Sequence, residues 1–305
     1  MTTTTISLSG NPKRHRRERV VKRIFWASAA VSVLISAAIV MSLIGRATTF
    51  FVEVDKSSLV DIGWFPRRGL YDLLTPLAGT VVVSLLAMFV AVPLGLGAAI
   101  YLSEFARPRV RRFLKPILEV LAGIPSVVIG FFALTWLSPN LVQRVFDSAG
   151  IFSMLAASIG VGILITPLIA SVSEDALRAV PTSLREAAFG LGAKRSETVR
   201  KVVFPAAISG IVASMILGLS RAIGETMVMF MVGGAVGGGI RELNPLRPGT
   251  TMTAAIASVA TGSDQVVGEG LTFESVFALG FLLFVFTLVL NTVSDRFVRR
   301  ARERY

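Results

Sequence analysis

Arg221 and Glu225 are two charged residues, four positions apart, within the apolar stretch LSRAIGETMVM. A charged side chain at the centre of a bilayer costs about 2.5–3.5 kcal/mol on insertion scales, so it normally faces a cavity or a partner. Residues four apart share one face of a helix, so one interpretation is an ion pair that locks the helix, although arginine before glutamate is the less favourable order. The other is an arginine that meets an anion, with Glu225 holding it or acting as a gate.

Hydroxyl groups are the other polar candidates in apolar stretches. Thr80, Ser84 and Ser126 occupy such positions. Hydroxyls in membrane helices more often hydrogen-bond back to their own helix or bridge two helices than bind a substrate. Thr80 and Ser126 are nevertheless predicted, together with Arg221 and Glu225, to line a translocation path.

The sequence argues against several kinds of catalytic or metal site. It contains no cysteine, which excludes disulfides and thiolate metal sites, and its one histidine, His15, lies in a basic N-terminal segment. It has no GxxxxGK[ST] motif, so we expect no P-loop and no ATP bound by this chain. We find no catalytic set or metal-ligand cluster, and we predict a protein that is not an enzyme and binds no cofactor.

Six apolar stretches are long enough to cross a bilayer. The chain is 53% hydrophobic and 16% charged, and its mean hydropathy is +0.71, which predicts an all-α, multi-pass membrane protein. The predicted spans cover residues 24–45, 77–102, 116–137, 151–172, 206–232 and 273–293. The apolar piece 251–260 is too short to cross, so we expect it to be interfacial or packed against the bundle.

Basic residues predict the orientation of the chain. The predicted cytoplasmic segments hold 23 of the 31 Lys and Arg residues, so both termini are predicted to be cytoplasmic. The bases fall in four segments between apolar runs, which indicates membrane topology rather than nucleic-acid binding. Residues 1–23 form a basic tail, predicted to be disordered and attracted to lipid, and residues 24–305 form the transmembrane domain. The first apolar run has 22 residues, too long for a usual signal peptide.

A polar segment, residues 183–205, separates two of these spans. Ser183 and Glu186 have the spacing of a capping box, and Gly192 lies where a left-handed C-cap would end a helix. A second helical run leads to Pro205, which favours the start of a helix and disfavours its interior. The segment therefore predicts a short helix outside the membrane.

The same segment resembles the EAA loop of ABC-importer permeases. Glu186, Ala187 and Ala188 are followed after three residues by Gly192 and after nine more by Val-x-Phe-Pro, ending at Pro205. In that family the loop is a coupling helix that docks in a groove of a cytoplasmic ATPase, as helix-in-groove recognition allows. The resemblance implies that these five residues couple the chain to an ATPase.

From residue 77 onward, longer segments are similar to the phosphate-specific ABC-importer permeases. Examples are PLGLGAAIYLSEFA, SEDALRAVPTSLREAAFGLGA and LSRAIGETM, while NPLRPGTTMTAAIA resembles their C-type subunit. The resemblance implies the type I ABC-importer permease (MetI-like) fold in the bacterial cytoplasmic membrane. It implies an A-type permease as heterodimer partner, two copies of an ATPase that bind ATP and Mg²⁺, and an external phosphate-binding protein. The family's Arg-x-x-Gly-Glu motif, implicated in phosphate transport, falls on Arg221, Gly224 and Glu225.

The function predicted from this resemblance is ATP-driven import of inorganic phosphate by alternating access. One alternative keeps the class and changes the anion to phosphonate, sulfate or molybdate, because composition does not separate these oxyanions. An alternative of another class is an ATP-independent anion channel or carrier, which would not need an EAA loop.

Overall fold

The computed structural model describes residues 12–60, 63–234, 243–262 and 270–302, and nearly all of them are helical. The α-helices are α1 (Pro12–Glu53), α2 (Leu74–Ile100), α3 (Pro108–Ala122), α4 (Ser126–Phe132), α5 (Gln143–Val145), α6 (Met154–Arg178), α7 (Thr182–Gly190), α8 (Arg195–Thr198), α9 (Phe204–Ile223), α10 (Met227–Val232), α11 (Met252–Ala260) and α12 (Thr272–Arg302). Three π-helical segments extend or join them, at Tyr101–Phe105, Ala133–Val142 and Val199–Val203.

Six helical segments in the described ranges are long and apolar enough to cross a membrane. They are Arg17–Glu53, Leu74–Phe105, Ser126–Val145, Met154–Arg178, Arg195–Ile223 and Thr272–Ser294. The prediction of an all-α protein with six spans is confirmed. The helices extend beyond most of the predicted spans, because length and hydropathy locate the apolar centre of a helix better than its polar ends.

Helix α6 is the centre of the bundle, and α1 lies at its edge. Buried residues make up 61% of the most apolar 18-residue stretch of α6, whereas none of the residues in the corresponding stretch of α1 is buried. Glycines allow this close packing, because a Cβ on Gly95 of α2 or on Gly218 of α9 would lie within 2.8 Å of the Ile169 side chain. The backbones of α2 and α9 therefore pack directly against the Ile169 side chain of α6.

The third spanning helix begins at Ser126, so the predicted start at residue 116 is wrong. Residues 116–122 belong to α3, a separate helix with charged and apolar sides. Pro125 ends the connection between the two helices, since it has no amide hydrogen and disfavours helical geometry at the residue before it. The apolar residues of α3 explain why the predicted span begins at residue 116 rather than at Ser126.

The basic N-terminal segment is helical from Pro12, so disorder is the wrong prediction for residues 12–23. Proline suits the first turn of a helix, and the arginines, lysines and glutamate that follow are good helix formers attached to an apolar helix. Residues 1–11 and the side chain of His15 lie outside what the structure describes.

A small cap closes the end of the bundle that was predicted to be external. Strands β1 (Trp64–Phe65) and β2 (Leu70–Tyr71) form an antiparallel hairpin, with Gly69 in the left-handed region at φ 73°. Buried Trp64 and Tyr71 pack in one cluster with residues of α1, α11 and α12. Helix α11 is packed against the bundle, as expected for a piece too short to cross.

Candidate functional site

The predicted fifth span is broken where its charges lie. Helix α9 ends at Ile223, and α10 begins at Met227, so Gly224, Glu225 and Thr226 form a non-helical connection. Arg221 occupies the last turn of α9, while Glu225 precedes α10. The prediction that the two charges share one helix face is therefore wrong, because the helix ends between them.

Glu225 caps α10. Its Oε1 atom accepts hydrogen bonds from the amides of Met227 (3.0 Å) and Val228 (3.2 Å). The first amides of a helix have no partner within the helix, and a carboxylate there is favoured by both hydrogen bonding and the helix dipole. Glu225 thus stabilises the break rather than pairing with Arg221.

Helix α11 holds this break from the other side. The Thr253 hydroxyl donates to the carbonyl oxygen of Glu225 at 2.9 Å. Thr80 of α2 accepts from the Met252 amide at 2.9 Å and donates to the Pro76 carbonyl at 2.7 Å. The hydroxyl of Thr80 therefore connects α2 to α11. This contact is a helix-bridging role, the alternative to binding a substrate.

Arg221 is exposed, and its guanidinium makes no ion pair or hydrogen bond within the described ranges 12–60, 63–234, 243–262 and 270–302. One turn earlier, Gly218 packs against Ile169 in the central part of α6. Next to Arg221, the Ser220 hydroxyl donates to Asn291 of α12 at 2.9 Å. The side chain thus extends from the middle of the bundle with its donors available.

Ser126 and Ser84 are placed differently. Ser126 is the first residue of α4, is half-buried, and its hydroxyl has no hydrogen bond to Arg221 or Glu225. Gly130, one turn later, packs against Val228 of α10, so α4 and α10 are neighbours. Ser84 is buried and donates to the Val81 carbonyl within its own helix.

The second candidate site is α7, which lies at the opposite end of the bundle from the hairpin. The helix begins at Thr182, so its N-cap position is Pro181 and Ser183 already lies inside the helix. Pro181 makes no side-chain cap, and the predicted capping box of Ser183 and Glu186 is therefore wrong. Pro181 restricts the residue before it, so the chain leaves α6 before the proline and re-enters a helix directly after it.

The predicted end of α7 is confirmed. Gly192 has a φ of +81°, and its amide donates to the Phe189 carbonyl at 2.9 Å. The Ala193 amide donates to the Ala188 carbonyl at 3.1 Å, which completes a Schellman motif.

Pro205 lies at the start of α9, but α8, the π-helical segment and α9 form one continuous helix. A π-helical turn before Pro205 shifts the hydrogen-bond register that its missing amide would otherwise interrupt.

Helix α7 and its C-cap residue, Leu191, expose apolar residues at helical spacing. Leu184 is 44% exposed and Leu191 is 90% exposed, with the exposed Ala187 between them. Residues at i, i+3 and i+7 share a helix face. Glu186 is exposed and Ala188 is buried. The exposed face has the pattern of a helix that inserts into the groove of another protein.

Arg185 joins α7 to two spanning helices. Its Nη1 donates to the Val180 carbonyl (2.6 Å), and its Nη2 donates to the Leu177 carbonyl (2.8 Å) and to Glu104 Oε1 (2.9 Å). Leu177 belongs to the last turn of α6, Val180 follows that helix, and Glu104 lies in the π-helical extension of α2. One guanidinium therefore connects the base of α7 to the ends of α2 and α6.

Comparison with known proteins identifies the family. Residues 91–303 match the family described as "Binding-protein-dependent transport system inner membrane component", and this range is more than half of the chain. The chain belongs to this family. It is a family of transport subunits, and its description confirms the prediction of a multi-pass protein of the cytoplasmic membrane.

Named relatives of this permease cover almost its whole length. The phosphate transport system permease protein PstC of Mesorhizobium japonicum is 33% identical over 312 residues, which covers 95% of this chain and 93% of that protein. The probable ABC transporter permease protein YqgH of Bacillus subtilis is 31% identical over 299 residues, covering 95% and 94%. These relatives confirm the resemblance to phosphate-specific permeases.

Solved structures confirm the fold of the permease. An inward-facing structure of the MetNI methionine ABC transporter aligns with a TM-score of 0.56 at 23% identity, covering 75% of this chain and 95% of that chain. A bacterial alginate ABC transporter in complex with a periplasmic protein aligns with a TM-score of 0.67 at 14% identity, covering 94% and 96%. The permease has the type I ABC-importer fold.

A buried ion-pair cluster of the permease was not found from the sequence. Glu174 of α6 is 1% exposed and accepts from Arg111 Nε (2.7 Å) and Lys115 Nζ (2.8 Å) of α3. Partial burial lowers the pKa of Lys115, but hydrogen bonds from its ammonium to Asp175 and Glu174 outweigh burial, so its pKa lies above the usual value. The cluster fixes the charged side of α3 against α6.

Proposed function

We propose that this chain is the C-type permease subunit of an ATP-driven importer of inorganic phosphate. The observation that carries the proposal is Arg221, whose guanidinium extends unpaired from the middle of the bundle, in a chain about one-third identical to permeases named for phosphate transport. Phosphate must lose much of its hydration to cross a bilayer. A guanidinium replaces lost water with paired, charge-assisted hydrogen bonds.

The exposure of Arg221 supports a second permease subunit. Leu217 is 50% exposed and Met227 is 42% exposed, and both lie close to Arg221 in sequence on α9 and α10. A guanidinium facing lipid would be costly, whereas a water-filled path between two permeases would accommodate it. We propose that an A-type permease covers this surface and completes the path.

Glu225 has a supporting role in this scheme. The sequence suggests that it holds Arg221 or gates the path, but its hydrogen bonds to the amides of α10 support a different role. By capping α10, Glu225 keeps the chain broken after Arg221. Its negative charge is then directed towards helix amides rather than towards an approaching anion.

Coupling to ATP hydrolysis is assigned to α7. Two copies of a cytoplasmic ATPase, which bind ATP and Mg²⁺, would receive the exposed face of α7, on which Glu186 and Ala187 lie, whereas the predicted coupling residue Ala188 is buried beneath it. Movement of α7 would reach α2 and α6 through the Arg185 hydrogen bonds to Glu104, Leu177 and Val180. An external phosphate-binding protein would deliver the anion at the opposite end.

The alternatives receive less support. The fold does not select the anion, because transporters named for methionine and for alginate share it. Phosphate is favoured over sulfate or molybdate by the names of relatives that cover nearly the whole chain. An ATP-independent channel or carrier is disfavoured by family membership and by the exposed apolar face of α7.

We expect phosphate to stimulate ATP hydrolysis by the complete importer reconstituted in vesicles with its binding protein. Stimulation is expected because closure of the ATPases should require a loaded binding protein on the external side. Hydrolysis is measured with phosphate, sulfate and molybdate in parallel, using arsenate-free buffer and a coupled ADP assay. Vesicles without the binding protein are the control. Equal stimulation by sulfate would refute the choice of anion, and phosphate flux without ATP would support a channel or carrier.

Both chain termini are expected to face the cytoplasm, because six spans separate them and the bases cluster on that side. Met1 and Tyr305 lie outside the described residues. Reporter fusions that are active on only one side of the membrane measure the orientation, with a fusion in the hairpin at Gly69 as the external control. Activity of a terminal fusion only outside the cell would overturn this orientation.

A further inference from the structure

A cleft lined by basic side chains lies on the same side of the bundle as α7. It is bounded by α3, by the ends of α2 and α6 and by the start of α8, and its volume is about 640 Å³. The bases that line it are Arg111, Arg112, Lys115, Arg178 and Arg195, and the acid that lines it is Glu119. Bases outnumber acids in this region even when Glu174 and Asp175 of α6, which pair with Arg111 and Lys115, are counted.

Several of these bases have little competing interaction. Arg178 is 3.9 Å from Glu174, a long ion pair, and Arg195 lies over the Phe105 ring at 5.4 Å. The Arg112 guanidinium has no ion pair or hydrogen bond with any residue in the part of the chain that the structure describes. Guanidinium groups with unused donors bind phosphate oxygens in a fork geometry.

The second observation is that α3 has a basic side and an exposed apolar side. The helix connects two spanning helices, and its side opposite the cleft exposes Phe113 (70%) and Val120 (72%). A helix with a basic side and an exposed apolar side lies in the plane of the bilayer interface, with its apolar side among the acyl chains. The cleft is therefore at the level of the lipid headgroups.

From these two observations we propose that the cleft binds the phosphate group of an anionic phospholipid in the adjacent leaflet. Basic pockets between spanning helices on the cytoplasmic side suit such headgroups. Arg112 and Arg195 contact the phosphate, while Glu174 holds Arg111 and Lys115 at the wall of the cleft. Free inorganic phosphate has the same chemistry, but it would gain nothing from the apolar side of α3.

The test uses the complete importer, extracted from vesicles of phosphatidylcholine with or without phosphatidylglycerol. Native mass spectrometry counts the phosphatidylglycerol molecules retained per assembled complex. The double variant Arg112→Gln/Arg195→Gln is expected to lower retention about thirtyfold, because two bases near a membrane surface contribute roughly 1 kcal/mol each. The control is Arg107→Gln/Arg109→Gln, which removes the same charge from exposed arginines that do not line the cleft.

Three outcomes would overturn the proposal. Equal loss of phosphatidylglycerol in the control would indicate diffuse attraction by surface charge. Retention unchanged in the double variant would show that the lipid does not use the cleft. Binding of radiolabelled inorganic phosphate in phosphatidylcholine alone, lowered by the double variant and not by the control, would make free phosphate the ligand. If the double variant does not assemble, Arg112→Gln alone gives the same comparison.

Discussion

Replacing Arg221 by glutamine is expected to abolish phosphate uptake while the importer still assembles. Its guanidinium has no partner in the described part of this chain, so its removal leaves no buried group unpaired. Uptake per assembled complex should fall at least about a hundredfold, because two charge-assisted hydrogen bonds of roughly 1.5–3 kcal/mol each are lost. Arg221→Lys should recover little, since an ammonium is a point charge without the planar fork.

Radiolabelled phosphate uptake, divided by the amount of complex recovered through a tag on the ATPase, measures this effect. Arg109→Gln is the matched control, because it removes an exposed guanidinium from α3, away from the break. The structure also changes the expectation for a double variant. Glu225 caps α10 and does not pair with Arg221, so Glu225→Gln should not restore complex or uptake to Arg221→Gln. Wild-type uptake per complex in Arg221→Gln would end the anion-site assignment.

Much of the fold follows from local sequence. A run of some twenty apolar residues has few alternatives to a spanning helix, since backbone groups within lipid must be paired internally. A piece of ten apolar residues is too short to cross, so it is assigned to packing against the bundle or to the membrane interface. The structure shows α11 packed against the bundle. Gly192 was also predictable, because glycine adopts a left-handed C-cap at no steric cost.

The break between α9 and α10 could not be predicted in this way. No proline marks it, and a charge pair at i and i+4 is also the pattern of a continuous helix. The break is held by the Thr253 hydroxyl on the Glu225 carbonyl, a contact between residues 28 positions apart. The Arg185–Glu104 ion pair joins residues 81 positions apart. Local patterns carry no information on such partners.

For helix α3, the sequence contains an amphipathic periodicity, but the average hydropathy determined the predicted span. A hydropathy average over residues 116–137 is apolar enough for a span, and this average favoured one span across the broken stretch at residues 122–126. The helical periodicity of Arg111 and Lys115 on one side, and of Phe113 and Val120 on the other, marks an amphipathic helix instead. Charge and apolar periodicity together separate an interfacial helix from a spanning one better than the average hydropathy does.

Replacing Gly192 by proline is expected to uncouple transport from ATP hydrolysis while the spans remain inserted. The φ of Gly192 is +81°, which proline cannot adopt, and proline also lacks the amide that bonds to the Phe189 carbonyl. The Schellman motif that ends α7 would be lost, and the exposed face of Leu184, Ala187 and Leu191 would no longer be presented in one orientation. Uptake should fall at least about tenfold, as a loss of roughly 1.4 kcal/mol or more in productive docking would produce.

Two alanine variants separate the backbone conformation from side-chain bulk. A Cβ at Gly190 or at Gly192 meets no heavy atom within 4 Å, so neither substitution creates a clash. Gly192→Ala must hold a left-handed conformation, which costs about 1–2 kcal/mol, whereas Gly190→Ala lies at the last residue of α7 without a positive φ. We expect Gly192→Ala to weaken uptake partially and Gly190→Ala to leave it near the wild-type level.

The measurement compares phosphate uptake with phosphate-stimulated ATP hydrolysis in membranes that contain equal amounts of each variant. Uncoupling means that uptake falls while the complex is recovered and ATP hydrolysis no longer responds to phosphate. The Arg185 hydrogen bonds to Leu177 and Val180 should persist in these variants, because they lie at the other end of α7. Wild-type uptake together with wild-type stimulation in Gly192→Pro would show that α7 is not the coupling element.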